Sequence, residues 1–330
     1  MKNTLFRTLA KMGFIAIILT PLTAGAWGRR GHQIVGETAS VLASQEPNSE
    51  FLRNQSFNMG YYANVPDFIW KRPETYETEK GQHFMDMEIF NLEFAKHPEV
   101  QNPFELSRKE FDAKFPDIKS DAGRAFWRIR ELYADLEKTT TKLHELKEPN
   151  GPARQKLQER WLLVAGVMAH YVGDLSMPLH VSENYDGLLT NQKGVHSQFE
   201  EVAVDQLFPS ILCDVDREAK KDWPAFSKRN KDKTVLQLLT DLATRSNHQI
   251  AKLLAADKKS NRKDVKKYAE AFRPLIRQQL VDGSLTLAEL YRRQLGWTFD
   301  NNKFYFFANE PAYIMPGDIG DDLNPVPKKK

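Results

Sequence analysis

The 330-residue sequence has one cysteine, Cys213, so no disulfide can form within the chain. A chain this long buries enough apolar surface to fold without one. The scarcity also removes thiolates as a ligand set, leaving histidine and carboxylate to hold any metal. The apolar stretch MGFIAIIL at residues 12–19 is far shorter than the ~20 residues that span a bilayer, which excludes it as an integral membrane anchor. Net charge is nearly absent as well. The chain carries 47 basic and 44 acidic residues, and Lys2, Arg7 and Lys11 lie in the first 26, which contain no acid. The chain from Trp27 onward is therefore neutral and has no global field to draw in nucleic acid or anionic lipid. Any affinity for phosphate must be local.

The first 26 residues have the form of an export signal: a basic start, the short apolar stretch, then Ala24-Gly25-Ala26 as a small-x-small cleavage site. We expect residues 1–26 to be a signal peptide, 27–310 a single mainly helical domain, and 311–330 a polar, Pro-rich tail. The protein is then exported, either periplasmic or secreted. No internal repeat, strand-rich block or linker divides the chain, and the fold class expected is all-α. Residues 31–45, 120–147 and 196–208 show helical spacing, and further helical stretches cover about 233–256 and 263–296, with a break near Asp282-Gly283. The segment 46–105 reads as irregular, with five prolines. QERWLLVAGVMAHYVGDLSM (158–177) is apolar almost all round, which marks a buried helix ended or kinked at Pro178.

That helix carries His170 and Asp174, four apart and so on one face. In apolar surroundings an unpaired imidazole and carboxylate are costly, and a metal ion bound by both removes the cost. A His/Asp pair hydrogen-bonded in the core is the alternative, which His180, just beyond Pro178, weakens. His196 and Glu200 repeat the i, i+4 spacing, which alone also suits a surface pair. Asp67 and His83 lie in irregular backbone, where functional side chains are often displayed. Cleavage before Trp27 would free an α-amine which, with the Trp27 carbonyl, can chelate a metal beside His32. Trp27, His32, Asp67, His83, His170, Asp174, His180, His196 and Glu200 together suffice for three metal sites with room for water. Imidazole and carboxylate ligands suit zinc, and open positions indicate catalysis. His97, His144 and His248 are expected at the surface.

WGRRGH, HFMD, HYVGDLSMPLH and HSQFE resemble the tri-zinc motifs of the single-strand-specific zinc nucleases of the S1/P1 type, and are similar to those of the bacterial zinc-dependent phospholipases C that share their fold. The resemblance implies one site from Trp27, His32 and Asp174, a second from Asp67, His83 and His170 with Asp174 as bridge, and a third from His180, His196 and Glu200. It implies an endonuclease that hydrolyses single-stranded DNA and RNA through a metal-activated water, with 3′-nucleotidase activity. Asp67 is the candidate to orient or deprotonate that water. Phe84 offers a face for a base, Asp86 an acceptor for a base edge, and Arg30 a grip on phosphate. No stable protein partner is expected. The alternative is a phospholipase C. Glu200 in place of the nuclease branch's usual Asp, and a short 183–195 loop, favour it; Arg29 and Arg30, which would repel a choline cation, favour the nuclease. An exposed apolar or amphipathic surface beside the cleft would mark the phospholipase, and no such stretch stands out in the sequence.

Overall fold

A computed structural model describes residues 27–118, 120–147, 151–297 and 311–317. The expected signal segment 1–26 and the end of the tail lie outside these residues. The described residues form helices and turns, with no strand beyond an isolated bridge between Met85 and Gly123. The fold is all-α. No helix among the described residues is long and apolar enough to cross a membrane.

Seven helices carry the argument: α1 (Arg29–Ala43), α2 (Ser56–Tyr62), α3 (Ala125–Glu145), α4 (Pro152–Ser176), α5 (Ser210–Asn230), α6 (Val235–Asn247) and α7 (Val265–Arg292). α4 is the axis of the molecule. Pro152 starts it, where its missing N–H costs nothing. From Trp161 to Ser176 its residues are almost all buried, as its lack of a polar face requires. α3 runs along α4, and α1, α2, α6 and α7 also pack against it. The chain leaves α4 at Met177, which is extended before Pro178, and enters a 3₁₀ turn, Pro178–Val181, that turns His180 back.

Three local expectations are corrected. α7 does not break at Asp282-Gly283; it runs through Gly283 without interruption. That glycine serves close approach, since a Cβ there would stand 2.8 Å from Ser176 Oγ on α4. The segment 46–105 is less irregular than its prolines suggest, because short helices (Phe51–Asn54, α2, Tyr76–Glu79 and Met87–Phe94) fit between them. α5, a stretch not anticipated as helical, spans 21 residues. Its apolar side (Ile211, Val215, Ala219, Trp223, Phe226) is spaced by three or four and buried, and Pro224 lies within the helix.

Candidate metal centre and cleft

The buried end of α4 gathers the predicted ligands. His170 and Asp174 are fully buried and face His32 from α1, with the His32 and His170 rings stacked at 3.8 Å between centroids. The stack requires Gly173, where a Cβ would stand 3.0 Å from His32 Nδ1. Asp174 is the hub. Its Oδ1 lies 3.4 Å from His32 Nε2, and its Oδ2 lies 3.2 Å from His83 Nδ1 and 3.4 Å from His170 Nε2. Asp67 completes this half from a one-turn π-helix, Pro66–Trp70, with Oδ1 3.7 Å from both His83 Nδ1 and His170 Nε2. His180, His196 and Glu200 form a separate group, with Glu200 Oε2 2.9 Å from His196 Nε2 and 3.5 Å from His180 Nε2. Glu200 lies in a second π-turn, Gln198–Val202, within the 196–208 helical stretch.

Three histidines are locked in one tautomer by the backbone. His170, His180 and His196 each donate from Nδ1 to a carbonyl, of Ala63, His83 and Tyr185, at 2.7–2.8 Å. Each therefore presents an Nε2 lone pair to the cluster, the usual outer-shell arrangement of a ligating imidazole. Two of those lone pairs meet each other rather than a donor: His180 Nε2 is 3.1 Å from His196 Nε2, while His170 Nε2 lies 2.8 Å from His83 Nδ1. Both nitrogens of His32, both carboxylate oxygens of Asp174 and Oε2 of Glu200 are buried without a hydrogen-bond partner. Leaving such groups unmet costs roughly 1–3 kcal/mol each. Cations held at these groups would satisfy the carboxylate oxygens and one nitrogen of His32.

Titration reflects the same burial. Desolvation, with neighbouring imidazoles and Lys71 adding, holds His32, His83 and His170 well below the usual histidine range. They are neutral, the form that ligates. Burial and the charge of Asp67 push the Asp174 carboxyl well up. Burial also works against Asp67, but Lys71, His83 and His32 outweigh it and hold that carboxyl below the usual range. At His196 burial is outweighed by Glu200, and the imidazole is raised.

Ligand atoms come within 4.8 Å of one another in three groups: His32, Asp67 and His170; His83, His170 and Asp174; and His180, His196 and Glu200. The Trp27 side chain is buried beneath the first of these, with Nε1 donating to Ser176 Oγ at 3.0 Å. His97, His144 and His248 lie outside the cluster and are exposed or partly so.

The cluster floors a cavity of about 560 Å³ lined by His83, His180 and His196, with Phe84, Asp86 and Lys71 on its walls. Gly123 shapes the Phe84 wall. It adopts φ +97°, and a Cβ there would come within 2.0 Å of the Phe84 carbonyl oxygen. Arg30 is not on this wall. It lines a different cavity, its guanidinium 4.3 Å from the Phe208 ring centroid. On the cleft's rim Tyr185 is exposed, with Leu188 and Leu189 exposed a few residues on.

Sequence reasoning missed Lys71 and Glu79. Lys71 donates from Nζ to Asp67 Oδ1 at 2.6 Å, four residues along the chain. Glu79, fully buried, places Oε1 3.2 Å from His83 Nε2, again at a spacing of four. Glu79 also accepts from the Tyr171 hydroxyl and, at 2.8 Å, from Tyr313. Arg128 stands behind it, 3.9 Å away among the rings of Trp70, Tyr171 and Tyr313. The signal was the same i, i+4 spacing that had drawn attention to His170 and Asp174, obscured at Asp67 and Glu79 by a Pro-rich stretch.

No curated protein matches this sequence. A family model described as S1/P1 nuclease matches residues 27–295, most of the chain and all of the residues gathered at the cluster. By that match the chain belongs to the S1/P1 nucleases, enzymes that hydrolyse phosphodiester bonds.

Proposed function

We propose that this chain is an exported, zinc-dependent endonuclease of single-stranded DNA and RNA with 3′-nucleotidase activity. One observation carries the reading: buried, unsatisfied imidazole and carboxylate atoms converge in three groups at the floor of a cleft with an aromatic and an acidic wall. Zinc suits the donor set, since every side chain offered as a ligand is an imidazole or a carboxylate. His32, with the Trp27 amine freed by cleavage, Asp174, Asp67, His83 and His170 would hold two ions, and His180, His196 and Glu200 a third. Bound there, zinc supplies Lewis acidity toward the phosphoryl oxygens and lowers the pKa of water.

The remaining roles belong to side chains. Phe84 stacks a base, a contact worth about 1–3 kcal/mol and indifferent to sequence. Asp86 accepts from a base edge. Asp67, kept ionised by Lys71, orients the attacking water and takes its proton. Burial pulls the Lys71 ammonium down, but Asp67 more than restores it. Lys71 therefore stays charged and meets the developing negative charge on the phosphate. Export rests on the basic start, the 12–19 apolar stretch and the Ala24–Ala26 site.

The test uses mature, zinc-loaded protein on single-stranded DNA and on phosphatidylcholine, with and without chelator. Chelator-sensitive release of nucleotides alone is expected. Release of phosphocholine alone would replace the proposal with the phospholipase reading, which the exposed Tyr185 on the cleft's rim favours. An extra Met before Trp27 is expected to remove about one zinc per chain; unchanged stoichiometry would refute the amine ligand.

A further inference from the structure

A second cavity, of about 310 Å³, is lined in part by Asn64, Val65, Phe68 and Ile69 around Asp67, and shares no lining residue with the cleft. Three of its lining side chains are aromatic and exposed far beyond what packing explains: Phe57 at 62%, Tyr61 at 49% and Phe68 at 61%. Arg29 and Arg30 also line it, and no acid does. Neither arginine has a carboxylate within ion-pair distance among the described residues. Arg30 instead donates to Gln33 at 3.1 Å and lies over Phe208. The exposed Arg29 lies 5.0 Å over the Phe68 ring.

The cavity is continuous with the metal cluster through the backbone. Phe68 directly succeeds Asp67 in the π-turn Pro66–Trp70, and Lys71, which ends that turn, lines the cleft beyond. Arg29 is two residues from Trp27. The turn thus lends residues to both, Phe68 and Ile69 to the aromatic cavity and Lys71 to the cleft.

We propose that this cavity holds a nucleotide of the single-stranded substrate lying beyond the scissile phosphate, its base on Phe57, Tyr61 and Phe68 and its phosphate on Arg29. The inference rests on the nucleic-acid reading above. The volume lies at the low end of the ~300–1,000 Å³ typical of small-ligand pockets, room for one nucleotide and not for a length of strand. Aromatic faces accept any base, and a guanidinium that pairs with no carboxylate is free to meet phosphate. The cavity makes long substrates better than short ones without adding sequence preference.

The test compares zinc-loaded wild type, the double variant Phe57→Ala/Tyr61→Ala and Arg29→Gln. The probes are a labelled, cleavage-resistant phosphorothioate oligothymidylate of about twelve nucleotides for binding, and the cleavable oligomer and a thymidine dinucleotide for kinetics. One stacked base corresponds to about 5- to 150-fold in affinity. The double variant is expected to bind the oligomer about tenfold more weakly. The advantage of the long substrate over the dinucleotide in kcat/KM is expected to shrink by a similar factor. Arg29→Gln is expected to lower the slope of log affinity against log salt by about 0.7, the share of one phosphate on a single strand. Oligomer binding and length advantage unchanged in the double variant, with cleavage intact, would sink the cavity and leave the nuclease reading standing. A wild type that cleaves neither substrate but whose oligomer binding falls in the double variant would uphold the cavity and sink the nuclease reading. Loss of binding to phosphatidylcholine vesicles in place of oligomer would make the aromatics a lipid-docking surface and overturn the proposal.

Discussion

Asp174→Asn separates what the cluster costs the metal-free chain from what it contributes when loaded. The carboxylate is fully buried, both oxygens lack hydrogen-bond partners, and burial with Asp67 pushes its pKa well up. Without metal, the folded chain keeps a proton there that the unfolded chain has released. Its stability therefore declines as pH rises from the ordinary carboxylate range toward the folded-state pKa. Asparagine does not titrate, so the metal-free variant should be more stable than metal-free wild type at neutral pH, with the gap closing as pH falls toward about 4. With zinc the order reverses. Asp174 faces His32, His83 and His170 at 3.2–3.4 Å, so its loss weakens both ions proposed for that half of the cluster. Zinc content should fall from about three ions to about one. Free zinc at a thousand times its Kd stabilises by about 4 kcal/mol per site, and each kcal/mol is worth ~2–4 °C for a domain of this size. The loaded variant should accordingly melt at least ten degrees or so below loaded wild type, with activity nearly abolished. Differential scanning calorimetry with and without chelator, paired with metal analysis, reads both signs. Full zinc occupancy in the variant, or a metal-free variant less stable than metal-free wild type at pH 7, would refute the reasoning.

Particular contacts fix three further outcomes. Lys71→Met removes a charge-assisted hydrogen bond to Asp67 at 2.6 Å and a cation from the cleft wall. Such bonds are worth ~1.5–3 kcal/mol, so kcat/KM on single-stranded DNA should drop about 10- to 150-fold with zinc content kept; a change below twofold would remove Lys71 from the mechanism. Gly283→Ala forces a Cβ to 2.8 Å from Ser176 Oγ, the acceptor for Trp27 Nε1. Overpacking of this kind costs about 1–3 kcal/mol, so the melting temperature should fall by several degrees, and an unchanged value would show that α4 and α7 separate freely. Burial and the nearby Glu88 and Glu183 push the Asp86 carboxyl up to about 7. It accepts from a base edge only when ionised, so the ratio of kcat/KM for guanine- and thymine-containing substrates should change across about pH 6–8 and flatten in Asp86→Asn. A pH-dependent ratio surviving that substitution would assign the effect elsewhere.

The sequence made the cluster legible because i, i+4 spacing on an apolar helix is a local signal with a physical cost attached. His170 with Asp174, and His196 with Glu200, stood out because burying such groups unpaired is expensive. The structure brings the expected histidines and carboxylates together as pairing by spacing had suggested. Arg30 was harder to place. Its position two residues from His32 says nothing about direction, and on α1 its side chain projects away from the ligands toward Gln33 and Phe208. Asp282-Gly283 was read as a break because glycine's usual role in turns is a local rule; here an interhelical distance decides, and sequence carries no trace of it. α5 shows the same limit, its Pro224 overridden by the buried face it completes.

The Glu79 contacts have a consequence for the order in which the protein is made. Trp70 donates to the carbonyl of Pro311 at 3.1 Å, Arg128 to that of Ile314 at 2.7 Å, and Tyr313 to Glu79 itself. The three groups from 311–314 leave the ribosome long after Glu79, with Tyr313 234 residues behind it. A nascent chain that already contains every proposed ligand still lacks the latch behind His83. The centre is finished by this distal segment, so a message truncated before it, or a nick that released it, would yield a protein with all its ligands and an unbraced His83.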